Sequence, residues 1–236
     1  MEKGKHISRQ FDYEMGAIKD QLMHMGALIE ELMTLTVEEV VTLKADATDK
    51  VRHVERELNT LEVEIDQECS RVLVIRHPTA KDLRFIIAAS KMAAEFESIG
   101  DELKKLVSYA HDLAEKTENN KPDTLLYPVR EILTRVQHMF RNALDAFARL
   151  DVQTALAVIE EEHGLDSSYR VAMRAYISQM IEDPRTIAHT FDPIWMIRAL
   201  ERIGKSVRQC ALHMIYLSEG KDLRHNKLET IKKEGQ

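Results

Sequence analysis

The chain has 236 residues, 44% of them hydrophobic and 31% charged, with 40 acidic against 33 basic side chains and a formal net charge of −7. Only 8 Gly and 5 Pro punctuate it, about half the usual share, which excludes turn-rich β-sandwiches and barrels together with collagen-like and disordered classes. The acidic balance leaves no basic field for a sequence-independent grip on nucleic acid, and the length is ample for a sizeable core of long helices.

The first helix is expected from about Phe11 to Ala45, where Phe11, Ile18, Leu22, Met25, Leu28, Ile29, Leu32 and Leu35 recur at three- and four-residue steps. Asp46 or Thr48 can cap the second helix, which carries Val51, Val54, Leu58, Leu61, Ile65, Val72 and Leu73 and ends at His77-Pro78. Thr79 and Asp82 resemble an acidic capping box opening a third helix to about Glu118. Asn119-Asn120-Lys121-Pro122-Asp123 is the strongest break and divides the chain into residues 1–120 and 121–236.

The second half repeats the plan. Pro128 suits a first helical turn, and that helix carries Ile132, Val136, Phe140, Leu144 and Phe147. Asp151 can cap the next, with Leu156, Ile159, Leu165, Met173, Ile177 and Ile181 along it and Asp183-Pro184 ending it. Asp192-Pro193 then reads as cap and first residue of a last helix through Trp195, Ile197, Leu200, Ile203, Val207, Leu212 and Ile215, stopping near Gly220. The tail from Lys221 is charged.

Three landmarks recur in order at nearly one offset. Glu62-x-x-x-Asp66 returns as Glu162-x-x-x-Asp166, Pro78 as Pro184, and Glu97-Ser-Ile-Gly-Asp101 as Glu201-Arg-Ile-Gly-Lys205. The expected fold is therefore all-α, two tandem three-helix bundles related by internal duplication. No signal peptide is expected from the polar opening. Nor is there an apolar run approaching the ~18 residues of a membrane span, so the chain reads as cytosolic. Cys69 and Cys210 form no CxxC pair.

Acids four apart share one helix face and repel unless a cation sits between them. Chance alone places on the order of six or seven such pairs in a chain this acidic, so the spacing is weak by itself. Recurrence in both halves strengthens it. Glu62, Asp66, Glu97 and Asp101 are the candidate ligands in the first half, and Glu162, Asp166 and Glu201 in the second. Gly100 and Gly204 lie inside the second motif each time, where mid-helix glycine suits close approach of either a helix or a ligand.

The doubled order of ExxxD helix, Pro-terminated turn and E-x-I-G-D helix resembles the PhoU family of phosphate-signalling regulators. So do ALDAFARLDVQTALAVIEEEHGLD (Ala143 to Asp166), HPTAKDLRFIIAASKMAAEFESIGD (His77 to Asp101) and the opening HISRQFDYEM (His6 to Met15). The resemblance implies two similar bundles, metal (iron, zinc or manganese) on the acidic motifs, a homodimer and no catalysis. It also implies negative regulation of the phosphate-starvation response, linking a phosphate transporter's ATPase to a membrane sensor histidine kinase.

Lys205 stands where the pattern has Asp, and its ammonium can replace a metal's charge. Metal is thus expected more in the first half than in the second. A ferritin-like metal enzyme is the rival reading, but it wants two Glu-x-x-His pairs and the chain has only Glu160/His163. A metal-free helical adaptor is the third. No Gly-rich phosphate loop exists, and Cys210 and His213 read as core.

Overall fold

The computed structural model describes residues 2–44, 47–117 and 123–223. The expected boundary at residues 119–122, the possible cap Asp46 and the tail beyond residue 223 lie outside the described residues. Six α-helices are described: α1 Glu2–Thr42, α2 Thr48–Arg76, α3 Ala80–Lys116, α4 Asp123–Arg149, α5 Val152–Glu182 and α6 Ile187–Glu219, with a 3₁₀ turn Pro184–Thr186 before the last. No strand occurs among the described residues.

The ends follow local chemistry. Asp151 caps α5 as expected, its carboxylate accepting from the backbone N–H groups of Gln153 (3.0 Å) and Thr154 (3.3 Å). Gly220, at φ 75°, closes α6 in the left-handed region that only glycine enters freely. His77 ends α2 at φ 48°, just before the proline. Thr79 differs from the expected box: its hydroxyl donates to the Asp82 carboxylate at 3.1 Å and caps no backbone N–H.

Two prolines sit deeper than expected. Pro128 is the sixth residue of α4, which begins at Asp123. Pro193 lies inside α6, which begins at Ile187. The reason for the second is visible: Asp192 is buried and accepts two hydrogen bonds from Lys116 Nζ (2.8 and 2.9 Å), so it ties α6 to the end of α3 and caps nothing.

The apolar stripes named above are buried with few exceptions. Ile177, Ile181 and Trp195 are the exposed ones, at 45%, 75% and 47%. The halves correspond as α1/α4, α2/α5 and α3/α6, and the most extensive contact of all runs between α3 and α6. With the α1–α4 contact this makes a central square of four helices, two from each half. Helices α2 and α5 flank it, and among the described residues each touches only its own half.

One core runs through both halves. Phe96 of α3 meets Phe140 of α4 edge-on at its centre, centroids 5.5 Å apart. Tyr109 of α3 stacks on Trp195 of α6. At the α1–α4 seam a Cβ on Gly26 would stand 2.6 Å from Leu144 Cδ1, so glycine is what permits that approach.

Candidate metal centre

In the first half, Glu62 and Asp66 project from α2 and Glu97 and Asp101 from α3. Three of them are near enough for the charges of Asp101 and Glu62 to act on Glu97. Glu97 is half-buried, and burial first, then Asp101, Glu62 and Glu55, raise its carboxyl above the usual range, with Lys105 opposing. Glu62, Glu97 and Asp101 have no ion pair or hydrogen bond among the described residues. Asp66 differs: it is exposed and accepts a hydrogen bond from the Ser90 hydroxyl.

Glu55 belongs to this acidic region although it opens no acid-x-x-x-acid pair, Asn59 standing four residues on. It lies seven residues before Glu62, two turns along the same face of α2. Glu55 is buried and held by Lys104 (2.8 Å) and Asn59 (3.0 Å).

The second half carries the same acids with the charge neutralised. Glu201 accepts from Lys205 Nζ at 2.7 Å and Arg198 at 2.8 Å. Burial pulls its pKa up, but those two cations outweigh it and hold the carboxyl below its usual range. Glu162 is buried, which raises its pKa; Arg208, 3.8 Å away, opposes and Asp166 adds to the rise. Asp166 itself pairs with Arg170 at 3.5 Å.

The two motif glycines have a packing reason. A Cβ on Gly100 would stand 2.8 Å from Leu58 Cδ1, and one on Gly204 2.6 Å from the Tyr169 hydroxyl oxygen. Tyr169 donates that hydroxyl to the Leu200 carbonyl at 3.2 Å, so Gly204 makes room for a buried tyrosine. Close helix approach therefore accounts for both positions.

The donor set fits a cation by charge: α2 and α3 present three carboxylates without partners, Glu62, Glu97 and Asp101, and the charges of the other two already make Glu97 harder to ionise. As they stand, no three His, Cys, Asp or Glu side chains among the described residues converge to hold a metal ion. Of the rival donors, His163 is exposed on α5. Cys210 and His213 are buried in α6 as expected of core, and burial pushes the Cys210 thiol well up.

Fold and acids together define a class: a duplicated six-helix bundle with acidic pairs at matched places, uncompensated in one half and salt-bridged in the other. The chain belongs to the PhoU domain family, whose model matches residues 22–110 and 129–213, once in each half.

Its relatives span its length. It is 39% identical over 229 residues, 97% of this chain and 93% of the relative, to the phosphate-specific transport system accessory protein PhoU homolog of Pseudomonas aeruginosa. It is 33% identical over 221 residues, 94% of this chain and 90% of the relative, to the accessory protein PhoU of Escherichia coli.

Among solved structures, PhoU from Pseudomonas aeruginosa superposes with TM-score 0.84 at 37% identity, covering 89% of this chain and all 100% of that one. The phosphate transport system regulatory protein PhoU from Streptococcus pneumoniae reaches TM-score 0.81 over 90% of this chain and 98% of its own at 19% identity, a likeness of fold. No helix among the described residues is long and apolar enough to cross a membrane.

Proposed function

We propose that this protein is a non-enzymatic accessory regulator of phosphate uptake, restraining the phosphate-starvation response when phosphate is high. It does so by linking the ATPase of a phosphate ABC transporter to a sensor histidine kinase, as a cytoplasmic homodimer. The observation that carries this reading is the family match in both halves, in register with the internal duplication, over relatives named as accessory proteins of phosphate transport. A six-helix body with solvent-facing flanks on α2 and α5 suits an adaptor that meets two partners.

The test is complementation. In a host lacking its own family member, a phosphate-starvation reporter is expressed in high phosphate, and supplying this chain is expected to silence it. Co-purification with the transporter ATPase and with the kinase is the paired readout. A reporter that stays on, with neither partner retained, overturns the reading.

Metal on the acidic motifs is the finer part. Glu62, Glu97 and Asp101 would hold iron, zinc or manganese, and the ion would supply positive charge that draws α2 and α3 together. Asp66 would have to leave Ser90 to join them. In the second half, Lys205 and its arginine neighbours already supply that charge to Glu162, Asp166 and Glu201.

The expected result is bound metal in gently purified protein that falls in Glu97→Ala/Asp101→Ala and rises in Lys205→Asp. A metal-free adaptor is the second reading, favoured by the packing reason for Gly100 and by the engagement of Asp66. Wild-type protein still empty after incubation with all three ions would establish it.

A further inference from the structure

At one end of the central square, all four of its helices wall a partly open cavity of about 300 Å³. It lies away from Glu97 and Asp101, near the start of α3 and the ends of α4 and α6, where Met15 to Lys19 of α1 pass by. Its walls are mostly apolar, with Met15, Phe85, Phe147, Leu150 and Leu217 among the lining side chains. Its charges are two lysines, Lys19 and Lys81, against one aspartate, Asp82.

The charged groups are not equally free. Asp82 accepts the Thr79 hydroxyl at 3.1 Å, and Lys19 makes one long bond, 3.3 Å, to the Ala148 carbonyl. Lys81 is exposed, with no ion pair or hydrogen bond among the described residues. In a chain of net charge −7, this is a locally positive mouth over an apolar floor.

Two backbone features border the cavity. Gly16 lines it from within α1, where glycine is the weakest helix former after proline. A Cβ there would meet no atom within 4 Å, so helix packing does not require the glycine, unlike Gly26, Gly100 and Gly204. What a side chain there would meet is open space beside the cavity wall. Opposite, Leu150 holds φ 55°, a left-handed conformation that disfavours a branched residue. It leaves the leucine half-exposed at the rim.

We propose that this cavity binds a small anionic amphiphile, a carboxylate on a short alkyl chain. The chain would lie among the phenylalanines and leucines, and the head between Lys19 and Lys81. Few polar groups on a mostly apolar pocket between bundle helices is the usual anatomy of such sites. Because its walls come from both halves, the ligand clamps them to each other.

The probe is decanoate, titrated calorimetrically into the full-length protein below its micellar concentration, with decan-1-ol as the uncharged control. Wild type is expected to bind one decanoate saturably, at least tenfold more tightly than the alcohol, with an affinity that weakens as salt rises. Gly16→Leu adds a bulky side chain at the cavity wall and should weaken binding at least tenfold, while its melting temperature stays level or rises because leucine favours helix. Lys19→Ala/Lys81→Ala, both at the surface side of the pocket, should bring decanoate down to the alcohol's affinity.

Absence of saturable binding to wild type overturns the proposal. So does an unchanged affinity in Gly16→Leu with the fold intact. Equal affinity for acid and alcohol would remove the lysines' role and overturn it as well. If Gly16→Leu proves unfolded, the double-lysine variant decides alone.

Discussion

Truncating Phe140 to alanine is expected to destabilise the protein by about 4 kcal/mol, the middle of the range for a buried phenylalanine, and to do so without splitting its unfolding into two steps. Phe140 is fully buried and meets Phe96 across the boundary between halves. The cavity would therefore open where α3 and α4 share packing. Because one core runs through both halves, neither can lose its packing while the other keeps its own.

Denaturant melts followed by far-ultraviolet circular dichroism and by Trp195 fluorescence check this. Trp195 sits in the second half but stacks on Tyr109 of the first, so it reports on the seam. Coincident curves are expected in wild type and variant, with the midpoint lowered and the slope unchanged. Separate transitions would mean that the halves fold as independent bundles. In a double-mutant cycle, Phe96→Ala and Phe140→Ala should couple by about 1 kcal/mol.

Acid will find a second weak point at Glu14. This buried carboxylate of α1 accepts two hydrogen bonds from Arg76 at 2.9 Å each and a third contact from Arg71 at 3.0 Å. Arg76 is the chief cause of its depressed pKa; burial opposes and Arg71 adds, and the carboxyl comes down from 4.5 to about 2. A depressed folded pKa gives stability that is complete above the unfolded value. The contribution is therefore full above about pH 4.5 and drains away as pH falls from there toward 2.

Glu14→Gln should cost about 3 kcal/mol at neutral pH, the low end for a buried ion pair that loses one partner, since Arg71 can turn to water. It should also flatten the stability profile between pH 4.5 and 2 relative to wild type. Melting temperature against pH for the two proteins measures both effects. Parallel profiles would show that other carboxylates govern the acid limb.

Much of this architecture could be read directly from residue order. Apolar positions at helical spacing marked the core faces of all six helices, and the doubled landmarks gave the duplication, because both are properties of local periodicity. The starts of α4 and α6 were harder. Pro128 and Pro193 look like first-turn residues, yet tertiary contacts carry each helix further back. For α6 the contact is the Asp192–Lys116 pair, which joins residues 76 apart.

The acidic motifs were legible as patterns; their chemical states were not. Sequence marks Lys205 as the departure from Asp, and Lys205 does pair with Glu201. Nothing in the sequence says that Arg198, Arg208 and Arg170 also close on the second-half acids, or that Ser90 engages Asp66. Nor does the sequence pair Glu14 with Arg71 and Arg76, which lie 57 and 62 residues further on.

By itself, then, the sequence determined the all-helical class, the two-fold repeat, the buried faces and the family, since these rest on spacing along one helix at a time. Only the tertiary structure decided which acids are left without a counter-charge, that the halves share one four-helix centre, and that a lysine-rimmed apolar cavity opens at its end. Each of these depends on which side chains meet across helices distant in sequence. That meeting is fixed by packing, where a single glycine such as Gly26 or Gly100 lets a neighbour's leucine approach a backbone it could not otherwise reach.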